Sequence, residues 1–257
     1  MKNRKEAMSK IKISAVIITK NEEKNITRCL NSLIWADEIL VVDSGSTDKT
    51  IKICEKYDCN ILSIDWMGFG PTKKFAVDNA KNDWVFSIDA DEAVTEELRI
   101  FLENFIDVNE FNGYRIKRKS IYLGKTINHS GWDNDFPLRF FNKKYGNYND
   151  KLVHEAVDLS NKKVKSIVYP IMHYPYPSIS SHILKLDMYS NLGAEQALDR
   201  GQKCSILFAM LSGFFKFFKM YILKKGFLDG SHGFCLAIIS SFGVTIKYLK
   251  IWSESKK

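Results

Sequence analysis

Read as hydrophobic and polar positions, residues 13–88 alternate between two signatures. Residues 13–19 (Ile-Ser-Ala-Val-Ile-Ile-Thr) and 39–42 (Ile-Leu-Val-Val) are near-continuous β-branched and aliphatic runs, the mark of strands covered on both faces. Between them Ile26, Cys29, Leu30, Leu33 and Ile34 recur at helical spacing on one face. A second helix is expected to bury Ile51, Cys54 and Tyr57, with Ser46 or Thr47 as its N-cap. Residues 60–64 read as a third strand, 68–71 as a loop, 72–80 as a helix and 84–88 as a fourth strand. Strands alternating with helices over short polar turns specify an α/β fold, a doubly wound, mostly parallel sheet flanked by helices.

In such sheets ligands bind beyond the carboxyl ends of the strands. Three of those ends are polar or acidic: Thr19, Asn21 and Glu22 after the first strand, Asp43 after the second, and Asp89 and Asp91 after the fourth. The run Asp89-Ala90-Asp91-Glu92 puts two carboxylates one residue apart at a strand tip, with a third beside them. Hard oxygen ligands gathered there suit Mg²⁺ or Mn²⁺, which binds through one or two carboxylates plus substrate phosphates. An isolated Asp-x-Asp is most often a solvated strand end; three acidic or polar tips on one sheet edge predict a single site. No G-x-G-x-x-G follows the first strand and no G-x-x-x-x-G-K-[ST] occurs, which removes support for a dinucleotide oxidoreductase and for a P-loop NTPase. A nucleotide remains compatible with these tips, Asp43 accepting from its base or ribose and Asp91 holding a metal on its diphosphate.

The segments Val16-Ile17-Ile18-Thr19-Lys20-Asn21-Glu22-Glu23, Val41-Val42-Asp43-Ser44-Gly45-Ser46-Thr47-Asp48 and Ser87-Ile88-Asp89-Ala90-Asp91-Glu92 resemble the inverting glycosyltransferases of family 2, which have a GT-A fold. Gly131-Trp132, Pro137-Leu138-Arg139-Phe140-Phe141, Val153-His154-Glu155 and Lys225-Gly226-Phe227-Leu228-Asp229-Gly230 are similar to the bacterial lipopolysaccharide-core β-1,4-glucosyltransferases, over nearly the whole chain. The resemblance implies that Thr19, Asn21, Glu22 and Ala90 line the nucleotide-sugar pocket, that Asp43 contacts the uracil, and that Asp89 meets the ribose or a metal-bound water. Asp91 would ligate the divalent ion. Where many relatives carry an arginine for the diphosphate, this chain has Lys73 and Lys74, either of which supplies the charge without a bidentate fork. The activity so implied is transfer of a hexose, glucose from UDP-glucose, to an inner-core sugar of a lipid-anchored oligosaccharide. The same donor class acting on a capsule intermediate, a polyprenyl phosphate or a protein is the alternative.

An inverting transfer needs a carboxylate to take the proton of the acceptor hydroxyl while cationic groups receive the charge on the leaving diphosphate. Glu155, after the Gly/Asn-rich run 146–150, is the first choice; Asp150, Asp133 and Asp135 are rivals. His154 and, with less support, His173 read either as metal or diphosphate contacts or as structural histidines. Arg139 reads as an acceptor-phosphate or diphosphate contact or as a paired structural arginine. Trp132 and Trp66 read as stacking platforms for a sugar or base, or more simply as core residues.

The expected organisation is a basic tail at 1–11, a catalytic domain at 12–180 divided near 110 into nucleotide and acceptor halves, and a helical region at 181–257. Within 205–222, Phe208, Leu211, Phe215, Phe218 and Ile222 form one stripe, with Leu207, Met210, Phe214, Phe217 and Tyr221 beside it; Ser205, Ser212, Lys216 and Lys219 lie opposite. The pattern suits an in-plane membrane helix or a helix packed on the catalytic domain, and two lysines interrupt it as a membrane span. A formal charge of +8 places lysines at the N-terminus and through the last fifty or so residues, where anionic lipid would attract them. The charge alone would also permit a non-catalytic membrane-binding or nucleic-acid-binding module, but strand-end carboxylates repel phosphate and the basic residues are not interleaved with aromatics, so no nucleic-acid partner is expected. Five scattered cysteines without a C-x-x-C pair fit a reducing compartment. The first ten residues are polar with no signal-length apolar run after them, so the expected location is cytoplasmic, peripheral on the inner face of the membrane.

Overall fold

The computed structural model describes residues 10–107, 110–151, 155–160 and 163–256. The chain divides into two compact units: residues up to 118 together with 135–173, and residues 119–134 together with 174 onward.

In the first unit, β1 (Ile13–Thr19), β2 (Glu38–Asp43), β3 (Asn60–Ser63) and β4 (Trp84–Asp89) lie parallel in the order β3-β2-β1-β4. Helices α1 (Ile26–Asn31), α2 (Thr50–Cys54) and α3 (Phe69–Asp78) make the crossovers. Side chains alternate between faces along a strand. Ala15, Ile17, Ile39, Val41, Phe86 and Ile88 therefore enter one apolar cluster, while Val16, Leu40, Val42 and Val85 enter another. That double burial is why the runs read as continuous rather than alternating.

After β4 the chain forms β5 (Glu92–Val94), α4 (Glu96–Glu103), β6 (Gly113–Tyr122), β7 (Lys125–Thr126), β8 (Leu138–Asn142), β9 (Gly146–Tyr148), β10 (Val157–Leu159) and β11 (Val164–Tyr176). Here the neighbours run antiparallel: β8 against β4 and β6, and β11 against β5. The mostly parallel expectation thus holds for the first four strands and not for the sheet as a whole, which is mixed. Parallel partners need a crossover, usually helical, and beyond α4 no α-helix separates the strands of this unit among the described residues.

Two local expectations are corrected. The helix expected over 72–80 begins earlier, at Phe69, with Pro71 in its first turn, where a missing N–H costs nothing. Neither Ser46 nor Thr47 caps α2; Lys49 holds the N-cap position without a side-chain bond, and Asp48 just before it accepts at Oδ1 from the Thr50 backbone at 2.9 Å and the Thr50 hydroxyl at 2.5 Å. Ser46 is used instead to join the turns after β1 and β2.

The second unit is built on α5 (Ile179–Asp199), α6 (Ile206–Phe218) and α7 (Ser231–Glu254). Ser178 and Ser181 close a capping box at the start of α5, and Ser205 caps α6. The packed face of α6 carries Ala209 and Gly213, which are buried. A Cβ at Gly213 would fall 1.9 Å from Thr245 Oγ1 and 3.1 Å from Ser241 O, so the glycine lets α7 approach closely. Both apolar stripes are left largely outside: Leu207 is 68 %, Phe214 63 % and Phe215 65 % exposed, and Phe208, Met210, Leu211 and Phe218 are exposed with them. So broad an apolar face is not scattered surface hydrophobicity; it is the kind that meets a membrane or a partner. By length and composition, Ile206–Leu223 and Ser231–Glu254 are each apolar enough to cross a membrane, Lys216 and Lys219 notwithstanding.

Candidate functional site

The strand tips meet on one edge of the first unit. Thr19 at the end of β1 pairs in register with Asp43 of β2, and Ile18 with Asp89 of β4. Asp43 and Asp89 thus flank the last residues of β1, about 10 Å apart by two strand spacings.

The turns after β1 and β2 are tied to each other. Asn21 adopts φ 56°, and its Oδ1 accepts from Thr47 N at 2.8 Å while its own N–H donates to Ser46 Oγ at 2.8 Å. Glu22 donates its N–H to Thr50 Oγ1 and accepts from Asn25 Nδ2 at 2.8 Å. Asp43 is buried, with Oδ2 accepting from the backbones of Gly45 and Ser46 and Oδ1 from Ser46 Oγ. Thr19 and Ser44 are buried at the same edge with hydroxyls that find no hydrogen-bond partner. Buried unpaired hydroxyls are costly, and at a strand end they are the groups a ligand satisfies.

A denser cluster lies under the tip of β4. Lys73 of α3 is buried, with Nζ 2.9 Å from Asp89 and 2.7 Å from Glu155. Arg139 of β8, also buried, bonds Asp89 and, at 2.8 Å, Glu92. Glu92, wholly buried, also accepts from Arg118 at 3.2 Å and from the Asp89 backbone at 3.0 Å. Arg118 continues to Asp135 at 2.6 Å. Burial by itself opposes the Lys73 ammonium, but Asp89, helped by Tyr148 and Glu155, overrides it and the ammonium is held more firmly protonated than usual. Burial likewise opposes the Asp89 carboxylate, and Arg139 and Lys73 outweigh it, holding the group well below the ordinary carboxylate range.

Glu155 reaches Lys73 because its segment sits on the first turn of α3. Gly70 donates its N–H to Lys151 O at 3.1 Å, and a Cβ there would lie 2.3 Å from Asn149 O. Lys74, one residue on, points elsewhere: it is half-buried and pairs with Asp150 at 2.9 Å. Of the two lysines, Lys73 is the one in the cluster.

Beyond the cluster, Asp91 Oδ1 lies 3.7 Å from His173 Nε2 on β11. A single ion bonded at about 2.1 Å to each would span that gap. Among the described residues no group of three or more His, Cys, Asp or Glu side chains is set to hold an ion. A divalent ion here would therefore complete its shell with water and the diphosphate of a nucleotide, which is how Mg²⁺ is usually held. The donor chemistry fits such an ion. Asp89, expected to meet the ribose or a metal-bound water, has its carboxylate bonded to Lys73 and Arg139.

Of the remaining residues singled out in the sequence, Ala90 is buried between the two aspartates. Arg139 lies beneath the site as an anchor for Asp89 and Glu92. Trp66, expected in the core, is 44 % exposed with its ring edge-on to Phe69. Trp132 belongs to the second unit, where it packs with Tyr122 and Tyr176, and Asp133 belongs there too. His154 lies outside the described residues. The sequence reading assigned no part to Glu92, Arg118 or Tyr148. Glu92 carried a signal, being adjacent to Asp91; Arg118 is far away in sequence and carried none.

An acid-tipped parallel sheet with a cationic cluster under its edge is the arrangement expected of a GT-A glycosyltransferase. The family described as glycosyl transferase family 2 matches residues 14–159, and the chain belongs to it. An uncharacterized glycosyltransferase of Rickettsia bellii is 32% identical over 253 residues, spanning 93% of this chain and 86% of that protein. The lipopolysaccharide core biosynthesis glycosyltransferase LpsC of Rhizobium meliloti is 27% identical over 252 residues, spanning 95% of this chain and 93% of its own. Among solved structures, S. aureus TarS 1–349 in complex with UDP-GlcNAc aligns with a TM-score of 0.48 at 17% identity, over 91% of this chain and 82% of that one.

Proposed function

We propose that the chain transfers a hexose, glucose from UDP-glucose, with inversion to an inner-core sugar of a lipopolysaccharide or lipooligosaccharide. The observation that carries this is Lys73 set between Asp89 and Glu155 beside the Asp91–His173 pair. The similarity to LpsC over nearly the full chain supports the acceptor class.

In this reading Asp43 orients the uracil, and the unpaired hydroxyls of Thr19 and Ser44 are satisfied by the nucleoside. Asp91 and His173 would hold Mg²⁺ or Mn²⁺, which would supply positive charge to the leaving diphosphate. Lys73 adds a second positive charge there and gives up its bond to Glu155. Glu155, so released, accepts the proton of the acceptor hydroxyl as that oxygen attacks the anomeric carbon from the face opposite the diphosphate. The exposed apolar face of α6 lies against the inner leaflet, holding the enzyme where a lipid-borne acceptor is.

The test is transfer by the purified protein from a set of nucleotide sugars to deep-rough lipopolysaccharide, with Mg²⁺, Mn²⁺ or chelator. Transfer from UDP-glucose that chelator stops is expected, together with a truncated inner core in a strain lacking the protein. An intact core in that strain would refute the acceptor assignment. Glu155→Gln is expected to leave UDP affinity unchanged and to slow transfer by about 10²–10⁴-fold, the range for a lost general base. A collapse of UDP affinity instead would make Glu155 a donor-site residue.

A further inference from the structure

Four non-glycine residues among those described adopt positive φ. Asn21 belongs to the donor edge; Leu123, Ser130 and Lys225 all belong to the second unit. There the segments 128–132 and 224–230 are bound to each other. Ser130 N–H donates to Lys224 O at 2.9 Å, and Lys125 Nζ donates to Asp229 O at 2.9 Å. The centre is Asp229, 2 % exposed, which accepts from the backbones of Asn128 at 3.1 Å and His129 at 3.0 Å. It also meets the His129 ring, Nδ1 to Oδ1, at 3.1 Å.

A carboxylate can only accept, so the proton of this last bond sits on Nδ1, and whenever the ring is neutral Nε2 carries the lone pair. The two backbone bonds would suffice to pin the segments. The ring bond adds something they do not need, a fixed tautomer on a side chain that stays 32 % exposed. Near it are Lys125, whose Nζ is bonded to Asp229 O, Lys224, whose stem lies beside Gly131, the exposed Lys225 next in sequence, and the partly exposed indole of Trp132. An oriented hydroxyl acceptor, an indole beside it and several ammonium groups match one ligand class, a sugar ring carrying phosphate.

We propose that these two segments form an acceptor-recognition site of the second unit for a phosphorylated saccharide, His129 Nε2 accepting a sugar hydroxyl and Lys224 and Lys225 facing the phosphate. This deepens the function proposed above and rests on it for the identity of the physiological ligand. The probe is glucose 6-phosphate, titrated into the full-length protein without donor or metal and read by ligand-observed NMR, with glucose as control. His129→Asn is informative because its amide still donates to Asp229 while the Nε2 acceptor is lost. Its affinity for glucose 6-phosphate should fall at least about 10-fold, with melting temperature and UDP affinity held. Lys224→Gln combined with Lys225→Asn, the latter a residue that tolerates positive φ, should remove the preference for glucose 6-phosphate over glucose. No binding by the native protein, or equal binding by His129→Asn, overturns the site. Because this readout uses neither donor nor turnover, a failure to find glucosyl transfer would count against the proposed function and leave the binding result standing.

Discussion

Asp91→Asn will reduce transfer by about 10²–10³-fold or more while the protein folds normally. The substitution keeps the side-chain shape and removes the charge on which, in the proposed mechanism, a divalent ion and the leaving diphosphate would depend, and losses of single groups acting on developing charge fall in that range. The fold should survive because Asp91 sits at the tip of β4, past the last register pair, and belongs to neither apolar cluster of the sheet. The measurement is initial rate against Mn²⁺ concentration, paired with thermal denaturation. A metal-binding defect appears as a raised metal requirement before a lowered plateau. His173→Gln should give the same signature more weakly, since in the proposed site the pair would share its ion with phosphate and water. Unchanged turnover in Asp91→Asn would remove this carboxylate from the mechanism and leave the Asp91–His173 contact as an ordinary structural pair.

The second large effect is on stability. Arg139→Leu will cost about 3–5 kcal/mol, the usual penalty for breaking a buried ion pair from one side. Arg139 is the group that Asp89 and the fully buried Glu92 share; removing it leaves Lys73 and Arg118 to neutralise them from the flanks. Urea denaturation followed by intrinsic fluorescence reads the loss directly. Arg139→Lys should recover part of it, because the charge returns without the planar fork. A loss below about 1 kcal/mol would mean that water reaches these carboxylates. The pH dependence has a defined sign. Asp89 titrates lower in the folded protein than the ordinary carboxylate value near 4, so its bonds stabilise fully above that value and are lost as pH falls through the lower, folded one. In Arg139→Leu this acid sensitivity should shrink.

How far the chain could be read in advance depended on the range of the interactions involved. Buried strands announce themselves in β-branched runs, and short crossovers place parallel strands side by side, so the three polar tips and their common edge followed from residues 13–91 alone. The family motifs lie in the same stretch for the same reason. The antiparallel half had no comparable pattern: β8 and β11 are placed by partners distant in sequence, and their order in the sheet is not written in periodicity.

Pairings across such distances were decided only on folding. Lys73 rather than Lys74 reaches the site because successive helical residues point about 100° apart, and which of them faces Asp89 depends on how α3 is rotated against the sheet. Glu92 and Arg139 look like surface charges in one dimension and become a buried pair only when β8 lies beside β4. Composition recorded the apolar stripes of α6, yet their exposure follows from a tertiary choice: α7 packs against Ala209 and Gly213, the small residues that let two backbones approach, and so leaves the large side chains outside. Periodicity sets which residues share a face; what that face meets is settled by the packing of the whole chain.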